Sequence, residues 1–462
     1  MARLSSLTKR LPTAGSLGQR MMKTSGWTLL DMMTRHGLRL ASNLLMTRIL
    51  LPEAFGLMAM VVTVHSASEL LMDLGVARSI QRERDGDTTH FLRAAWIIQV
   101  LRSAIVSCVV VFCAIMLWFL GPTWAAPGTI YAAPELPLLL LISAIVPLMK
   151  GAESPNKSLA LRRLEIRRVT IVALGTQILG LATMYAFAVM SPTVWALLAG
   201  MLARSAYALI ATHTLLPGPR MGFVWDREIN ERLWRFGKWI MGAAPLQFLA
   251  TNADKLILGA LLPASVFGMY VIAVLWIYAA RDVLVRMIGQ VGFAGLSEVA
   301  RTRPQDVPAI FLRLQAIVSW LCVAAFLGFY LLGDMFIRTL YPDAYHQAGQ
   351  YMPVLALGFL VRRFNPAVMM LMSLGDSRTN LIVTALRAAG ICGAVPLGYS
   401  LAGMEGTLYA VALGQVLGVP YVLYKSYPIL GRAYLRNAVL WVSVLVAATI
   451  GIWMIRAGGA VF

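Results

Sequence analysis

The sequence is poor in charge, and in acidic residues above all. Of 462 residues only 13% are charged, and 21 Asp and Glu stand against 40 Lys and Arg. The hydrophobic share is 59%, the mean hydropathy is +0.72, and apolar runs recur along the whole length. No water-soluble domain fits between these runs, so the composition predicts an all-α polytopic membrane protein.

Cysteine and the known catalytic motifs are equally scarce. The four cysteines, Cys108, Cys113, Cys322 and Cys392, lie inside apolar runs and lack metal-ligand spacing. There is no HExxH, Walker A or GxSxG sequence and no Cys/His constellation. We therefore expect a protein that is not an enzyme, that holds no resident cofactor, and that does not use ATP directly.

The distribution of basic residues predicts the topology. Connections predicted on one side hold most Lys and Arg, whereas those on the other side contain only Arg338. By the positive-inside rule, this asymmetry predicts a cytoplasmic N-terminus. It also explains much of the net charge of +19, so we expect no nucleic-acid partner. Thirteen spans are predicted: Gly26–Leu50, Ala54–Gly75, Phe91–Leu120, Glu135–Lys150, Val169–Met190, Thr193–Leu215, Phe236–Leu262, Val266–Gly295, Ala309–Leu332, Tyr351–Leu374, Leu381–Gly398, Gly406–Tyr424 and Ala438–Ile455.

Two stretches of sequence echo each other and indicate an internal duplication. The turn LLPEAFG around Pro52 returns as LLPASVFG around Pro263, at an offset of 263 − 52 = 211. The predicted organisation is a cytoplasmic tail (1–25), a six-helix lobe (26–215), an interfacial connector (216–235), a second six-helix lobe (236–424) and an extra C-terminal helix (425–462). An even number of spans per repeat predicts lobes related by an axis along the membrane normal, with a substrate cavity between them.

Charged side chains fall on one face of each of the first two predicted spans. Spacing of i, i+4 and i+8 relates the members of each set, which are Asp31, Arg35 and Arg39, and His65, Glu69 and Asp73. Ionisable groups at membrane depth are costly, so this face is by default functional. The alternative is that pairs such as Asp31 and Arg35 only neutralise each other.

Further arginines sit near the middle of later spans. They are Arg102, Arg204, Arg281, Arg362, Arg363 and Arg387, with Arg286 one turn beyond Arg281. Guanidinium groups match phosphate oxygens bidentately, so we infer a phosphate or pyrophosphate ligand, with a carboxylate as second choice. The alternative is that some of these groups bind backbone carbonyls or lie nearer the cytoplasm. Pro366, after Arg362 and Arg363, predicts a kink beside the two charges.

Asp254 is predicted to lie inside the seventh span, next to Asn252. An intramembrane carboxylate can bind Na⁺ or carry H⁺, and either would couple transport to an ion gradient. Glu69 and Asp31 are further candidates for this role. The alternative is that Asp254 pairs with Lys255 or with an arginine and only fixes the helix.

Two tracts resemble a known family. TRILLPEAFGLMAM with LMDLGVARSIQ, and NADKLILGALLPASVFGMYVIA, look like the polysaccharide-transporter branch (Wzx-type flippases) of the multidrug/oligosaccharidyl-lipid/polysaccharide exporter superfamily. The resemblance implies two six-helix lobes around a V-shaped cavity in the bacterial inner membrane. It also implies alternating access that flips an undecaprenyl-pyrophosphate-linked oligosaccharide. By position, Arg35, Arg39, Arg281 and Arg286 would meet the pyrophosphate, and a glycan polymerase and chain-length proteins would be partners in the pathway.

Two other functions remain open at this stage. A multidrug exporter of the same superfamily would need an acidic and aromatic cavity for cationic drugs, which the cationic balance disfavours. A membrane glycan polymerase or ligase would need a substantial outer loop carrying Arg or His. The predicted outer segments, Leu120–Pro134 and Gly333–Gln350, are short and nearly uncharged.

Overall fold

The computed structural model describes residue 34 and residues 37–71, 74–163, 165–287 and 294–459. Within these ranges the chain is helical almost throughout, and its only β feature is an isolated bridge between Thr129 and Pro263. The prediction of an all-α protein is confirmed. After a helical stretch at residues 37–47, the helices are α1 (Pro52–Leu71), α2 (Val76–Arg82), α3 (Thr89–Trp124), α4 (Glu135–Ser143), α5 (Ile145–Ala152), α6 (Asn156–Arg162), α7 (Ile166–Met190), α8 (Val194–Thr214), α9 (Arg227–Leu261), α10 (Ala264–Met287), α11 (Ala294–Thr302), α12 (Val307–Leu340), α13 (His346–Arg362), α14 (Asn365–Ser373), α15 (Ser377–Leu413) and α16 (Val419–Gly459).

Nine helical segments in the described part of the chain are long and apolar enough to cross a membrane. One of them, Ser377–Arg432, covers two predicted spans because α15 bends at Ala402 and Gly403. Two other predicted spans fall on α1 and α9, which are helical but carry charged residues such as Glu69 and Asp254. The first predicted span, Gly26–Leu50, lies largely outside the described residues.

The described chain forms two compact units. Unit 1 draws on Met1–Ile49, Met72–Ala114 and Leu138–Met241, and unit 2 draws on Leu50–Leu71, Ile115–Pro137 and Gly242–Phe462. Each has its own apolar core. Unit 1 packs Phe91, Leu92, Leu159 and Leu233 together, whereas unit 2 packs Phe311, Met370, Val422 and Tyr434. The division into six-helix lobes at residues 216–235 stays a prediction.

The two duplicated turns meet inside unit 2, where α1 packs along α10. A Cβ built on Gly268 would overlap the carbonyl oxygen of Pro52, and one on Gly56 would stand 3.0 Å from the carbonyl oxygen of Ala264. Each glycine therefore belongs to one copy of the turn and contacts the other copy. Because glycine has no side chain, the two backbones can approach closely here. Small residues at helix interfaces have the same effect in other membrane proteins.

Within unit 1, polar contacts fasten the residues around the start of α9 to the region between α2 and α3. Arg232 binds Asp85 at 2.8 Å, and His90 Nε2 lies 2.7 Å from Asp226. The hydrogen bond from Arg232 lowers the pKa of Asp85, and Asp85 in turn raises the pKa of Arg232. Arg162 donates to three backbone carbonyls at residues 80–84, on the same side of the unit. The loop after α2 is thereby tied to both α6 and α9.

Candidate functional site

The segment that carries Arg362 and Arg363 is broken at those residues. Helix α13 ends at Arg362, and α14 begins at Asn365 with Pro366 in its first turn. Proline lacks an N–H and cannot continue the preceding helix, so the predicted kink is present. The break leaves both guanidinium groups at the junction of two helices.

A buried carboxylate lies opposite this break within unit 2. Asp254 on α9 is 2% exposed, and its Oδ2 accepts a hydrogen bond of 2.5 Å from the Tyr270 hydroxyl. The Tyr278 hydroxyl donates to the same oxygen at 3.4 Å. Tyr270 and Tyr278 are two turns apart on α10, so one helix face presents both phenols. Among the described residues no cation forms an ion pair with Asp254, which argues against the alternative of a simple salt bridge.

Two arginines share a cavity with Asp254. The Arg281 guanidinium stacks 4.0 Å from the centre of the Tyr278 ring and binds Asp282 Oδ1 at 2.9 Å. Arg362 lines the same cavity and has no hydrogen-bond or ion-pair partner within the described part of the chain. The cavity holds about 30 Å³, enough for a water molecule. A half-buried guanidinium without a counter-ion is a ready donor for an anionic group.

Arg363 and Arg387 have protein partners. Arg363 is 1% exposed, donates to Ser319 at 3.1 Å and to Asn437 at 2.8 Å, and stacks 4.7 Å from the Trp441 ring. Arg387 donates to Asn365 at 2.7 Å. Arg363 therefore joins α12 and α16 to the helix break. Asn437 and Trp441, which contact its guanidinium, both lie on the C-terminal helix α16.

The other predicted residues do not line the Arg362 cavity or are not described by the structure. The side chain of Asn252 accepts a hydrogen bond of 3.0 Å from Lys255, and Glu69 is half-buried on α1. Arg39 is exposed in the helical stretch at residues 37–47. Asp31 and Arg35 lie outside the described residues, as does the side chain of Arg286. The structure thus brings together Asp254, Arg281 and Arg362 of the predicted set.

Arg204 lines a separate cavity inside unit 1. That cavity holds about 190 Å³ and also contains the side chains of Lys150 and Lys157. Arg204 lies midway along α8 and is exposed. Sequence reasoning selected Arg204 but not the lysines, because their place in a cytoplasmic connection explained them as topology signals.

Sequence reasoning also missed Tyr270 and Gln415. Tyr270 lies in an apolar run, which gave no signal of a functional residue. Its spacing of eight residues from Tyr278 places the two on the same face of α10. Gln415 lines the Arg362 cavity from the short helix Gly414–Gly418, whose approach to α9 and α10 depends on tertiary packing.

Comparison with known proteins shows the family of the chain. The sequence profile of a family described as "Polysaccharide biosynthesis protein" matches residues 45–350. The lipopolysaccharide biosynthesis protein WzxC of Escherichia coli is 22% identical over 91% of this chain and 83% of its own length. The succinoglycan biosynthesis transport protein ExoT of Rhizobium meliloti is 23% identical over 92% of this chain and 85% of its own.

Solved structures with similar folds are also transporters. The lipid II flippase MurJ in an inward closed conformation aligns with a TM-score of 0.68 at 11% identity, over 96% of this chain and all of that one. An inward-facing multidrug resistance MATE transporter aligns with a TM-score of 0.64 at 14% identity, over 84% and 92% of the two chains. At these identities the likeness concerns the fold alone.

Proposed function

The chain belongs to the polysaccharide biosynthesis protein family, as a Wzx-type transporter of the multidrug/oligosaccharidyl-lipid/polysaccharide exporter superfamily, and we propose that it is a flippase. The proposed substrate is an undecaprenyl-pyrophosphate-linked oligosaccharide unit. It would be moved from the inner to the outer leaflet of the bacterial inner membrane. It is a transporter rather than an enzyme. The proposed route is alternating access between two lobes. A glycan polymerase would use the flipped unit on the outer side.

One observation carries the proposal at the level of residues. Arg362, which has no partner among the described residues, lines one cavity with Arg281. Two neighbouring guanidinium groups repel each other, and a bound dianion relieves that repulsion. A pyrophosphate offers the paired oxygens that guanidinium forks bind bidentately. The cavity in this conformation has room for about one water molecule, so the proposal requires the helices around it to separate during alternating access before a pyrophosphate enters. Two guanidinium groups against the one carboxylate of Asp254 leave the cavity lining net cationic, which favours an anionic ligand over a cationic drug.

We further propose that Asp254 couples transport to a gradient of Na⁺ or H⁺. Its carboxylate is buried, is oriented by two phenols and lines the same cavity as the two arginines. A cation or proton at Asp254 and an anion at Arg281 and Arg362 would influence each other, because charges that line one cavity interact strongly away from bulk water. Of the other proposed coupling residues, Asn252 lies two residues from Asp254, and Glu69 and Asp31 keep this role as a proposal.

A deletion strain tests the proposed function. We expect the strain to lose surface glycan and to accumulate the lipid-linked intermediate, and the wild-type chain to restore export. The double variant Arg281→Ala/Arg362→Ala should fail to restore it, whereas Arg301→Ala, an exposed arginine on α11 away from the cavity, should succeed. Membrane levels of each variant are compared by immunoblot. Absence of intermediate from the deletion strain would remove the flippase role, and full export by the double variant would remove the site.

A further inference from the structure

The cavity of unit 1 has a lining that the proposed site in unit 2 does not use. It lies among α5, α6, α7 and α8 and holds about 190 Å³, against about 30 Å³ for the cavity around Arg362. Three cationic side chains, Lys150, Lys157 and Arg204, line it together with a single carboxylate, Glu153. The lining therefore carries a net charge of +2 from these groups.

Two of the three cations have no counter-ion among the residues that the structure describes. Lys157 and Arg204 form neither an ion pair nor a side-chain hydrogen bond within the described residues, and both side chains are exposed. Two hydroxyl groups of the lining already donate to backbone carbonyls. Thr176 donates to the Val172 carbonyl at 2.8 Å, and Ser205 donates to the Met201 carbonyl at 3.1 Å. Among the described residues, the charged donors of this cavity without a partner are thus the Lys157 ammonium and the Arg204 guanidinium.

The packing of α7 against α8 leaves room for the Arg204 side chain. A Cβ built on Gly180 would stand 3.1 Å from Cβ and 3.2 Å from Nε of Arg204. Glycine at this position lets the side chain cross the surface of α7. Because Arg204 lies midway along a membrane-spanning helix, its charge needs either water or an anion within reach.

The rest of the wall is apolar. Val169, Val172, Ala173, Ala208 and Leu216 line the cavity beside the charged groups. Lys150 and Lys157 come from the connection that the charge distribution predicts to be cytoplasmic. Cations next to an apolar wall at this level of the bilayer suit a ligand with a phosphate and a hydrocarbon tail.

We propose that the unit 1 cavity binds the phosphate group of an anionic lipid, through Lys157 and Arg204. The same chemistry is offered by an anionic phospholipid of the bilayer and by the pyrophosphate of a lipid-linked glycan. A bilayer phospholipid would make this a lipid site separate from transport. A lipid-linked pyrophosphate would make it a second contact for the substrate of the proposed function.

Binding to the full-length purified protein tests the proposal. Native mass spectrometry measures retention of phosphatidylglycerol in one arm and of undecaprenyl pyrophosphate in the other, with phosphatidylcholine as the zwitterionic reference of zero net charge. The test variant is Lys157→Gln/Arg204→Gln. The matched control is Arg163→Gln, which removes an exposed cation of the same connection outside the cavity. Equal melting temperatures in phosphatidylcholine show that the variants are folded.

We expect the double variant to bind at least one of the two anionic lipids about tenfold or more weakly than wild type, because two charge-assisted contacts are lost. The control should bind like wild type. If the double variant loses retention of phosphatidylglycerol only, the cavity is a site for bilayer lipid. If it loses retention of undecaprenyl pyrophosphate, the cavity is a site for the substrate headgroup. Equal retention of both lipids by wild type and double variant would overturn the proposal, as would failure of the wild type to retain either. Because the readout is binding and not transport, these outcomes leave the proposed flipping activity to its own test.

Discussion

In the described part of the chain, Asp254 is the only acidic residue that is buried. Two tyrosine hydroxyl groups hold its carboxylate. Tyr270 and Tyr278 both donate to Oδ2, so the carboxylate is satisfied without a permanent counter-charge. An arginine or lysine bound to it would have blocked a mobile cation. The absence of a bound cation among the described residues is what the proposed coupling to Na⁺ or H⁺ requires of this carboxylate.

Asp254→Asn should uncouple transport from the ion gradient. The amide is nearly isosteric but neither charged nor titratable, so we expect gradient-driven flipping in proteoliposomes to fall by about tenfold or more, as for loss of a proton-transfer group. Tyr270→Phe is the companion variant, and it should cause a smaller loss because Tyr278 still contacts the carboxylate. Gradient-driven rates for Asp254→Asn equal to wild type would refute the coupling role.

Arg363 should matter for stability. Its guanidinium is enclosed by Ser319, Asn437 and the Trp441 ring, and a desolvated cation–π contact contributes about 2 kcal/mol. Arg363→Ala leaves Asn437 without its donor, and we expect a clear drop in melting temperature in detergent. Arg313→Ala, an exposed arginine on α12, is the control. Equal melting temperatures for the two variants would show that these contacts contribute no net stability.

At the level of elements, the crossing of α1 and α10 explains why the LLP turn recurs with its glycine. Gly268→Ala should destabilise unit 2 by about 1–3 kcal/mol, because the added methyl group meets the Pro52 backbone, which cannot move aside cheaply. Gly393→Ala on α15 is the matched control, since nothing lies within 4 Å of its added Cβ. It should be neutral or stabilising by about 0.5–1 kcal/mol. Thermal unfolding that ranks the two variants in the opposite order would contradict this packing.

The loop after α2 depends on the contact between Asp85 and Arg232. Asp85→Asn should speed hydrogen exchange of residues 83–88, with an effect below about 1 kcal/mol because the pair is partly exposed. The folded pKa of Asp85 lies below its ordinary value of 3.8, so its contribution is complete above that value and is lost only as the pH falls through the folded pKa. The difference between variant and wild type should therefore be constant from pH 6 to pH 8. A difference that changes across that range would mean that another group titrates there.

For the whole molecule, the sequence predicted the class and most of the spans, because apolar length and charge asymmetry act locally along the chain. The resemblance supplied the family. The sequence could not show that Asp254, Arg281 and Arg362 share a cavity whereas Arg363 is enclosed, since Arg362 and Arg363 are adjacent and chemically identical. Only the packing of α12 and α16 separates their roles. The sequence likewise explained Lys150 and Lys157 as topology signals of a cytoplasmic connection. Their place beside Arg204 in one cavity follows only from the packing of the helices.

For the molecule as a whole, we propose that Arg281 and Arg362 of the unit 2 cavity contact the pyrophosphate of a lipid-linked glycan as the lipid crosses the membrane. The most direct measurement is translocation by the purified full-length protein in proteoliposomes, followed by the access of an added glycosidase to a labelled undecaprenyl-pyrophosphate oligosaccharide. We predict time-dependent translocation by wild type and by Arg301→Ala, and a rate at least about tenfold lower for Arg281→Ala/Arg362→Ala. Translocation by the double variant at the wild-type rate would contradict the account.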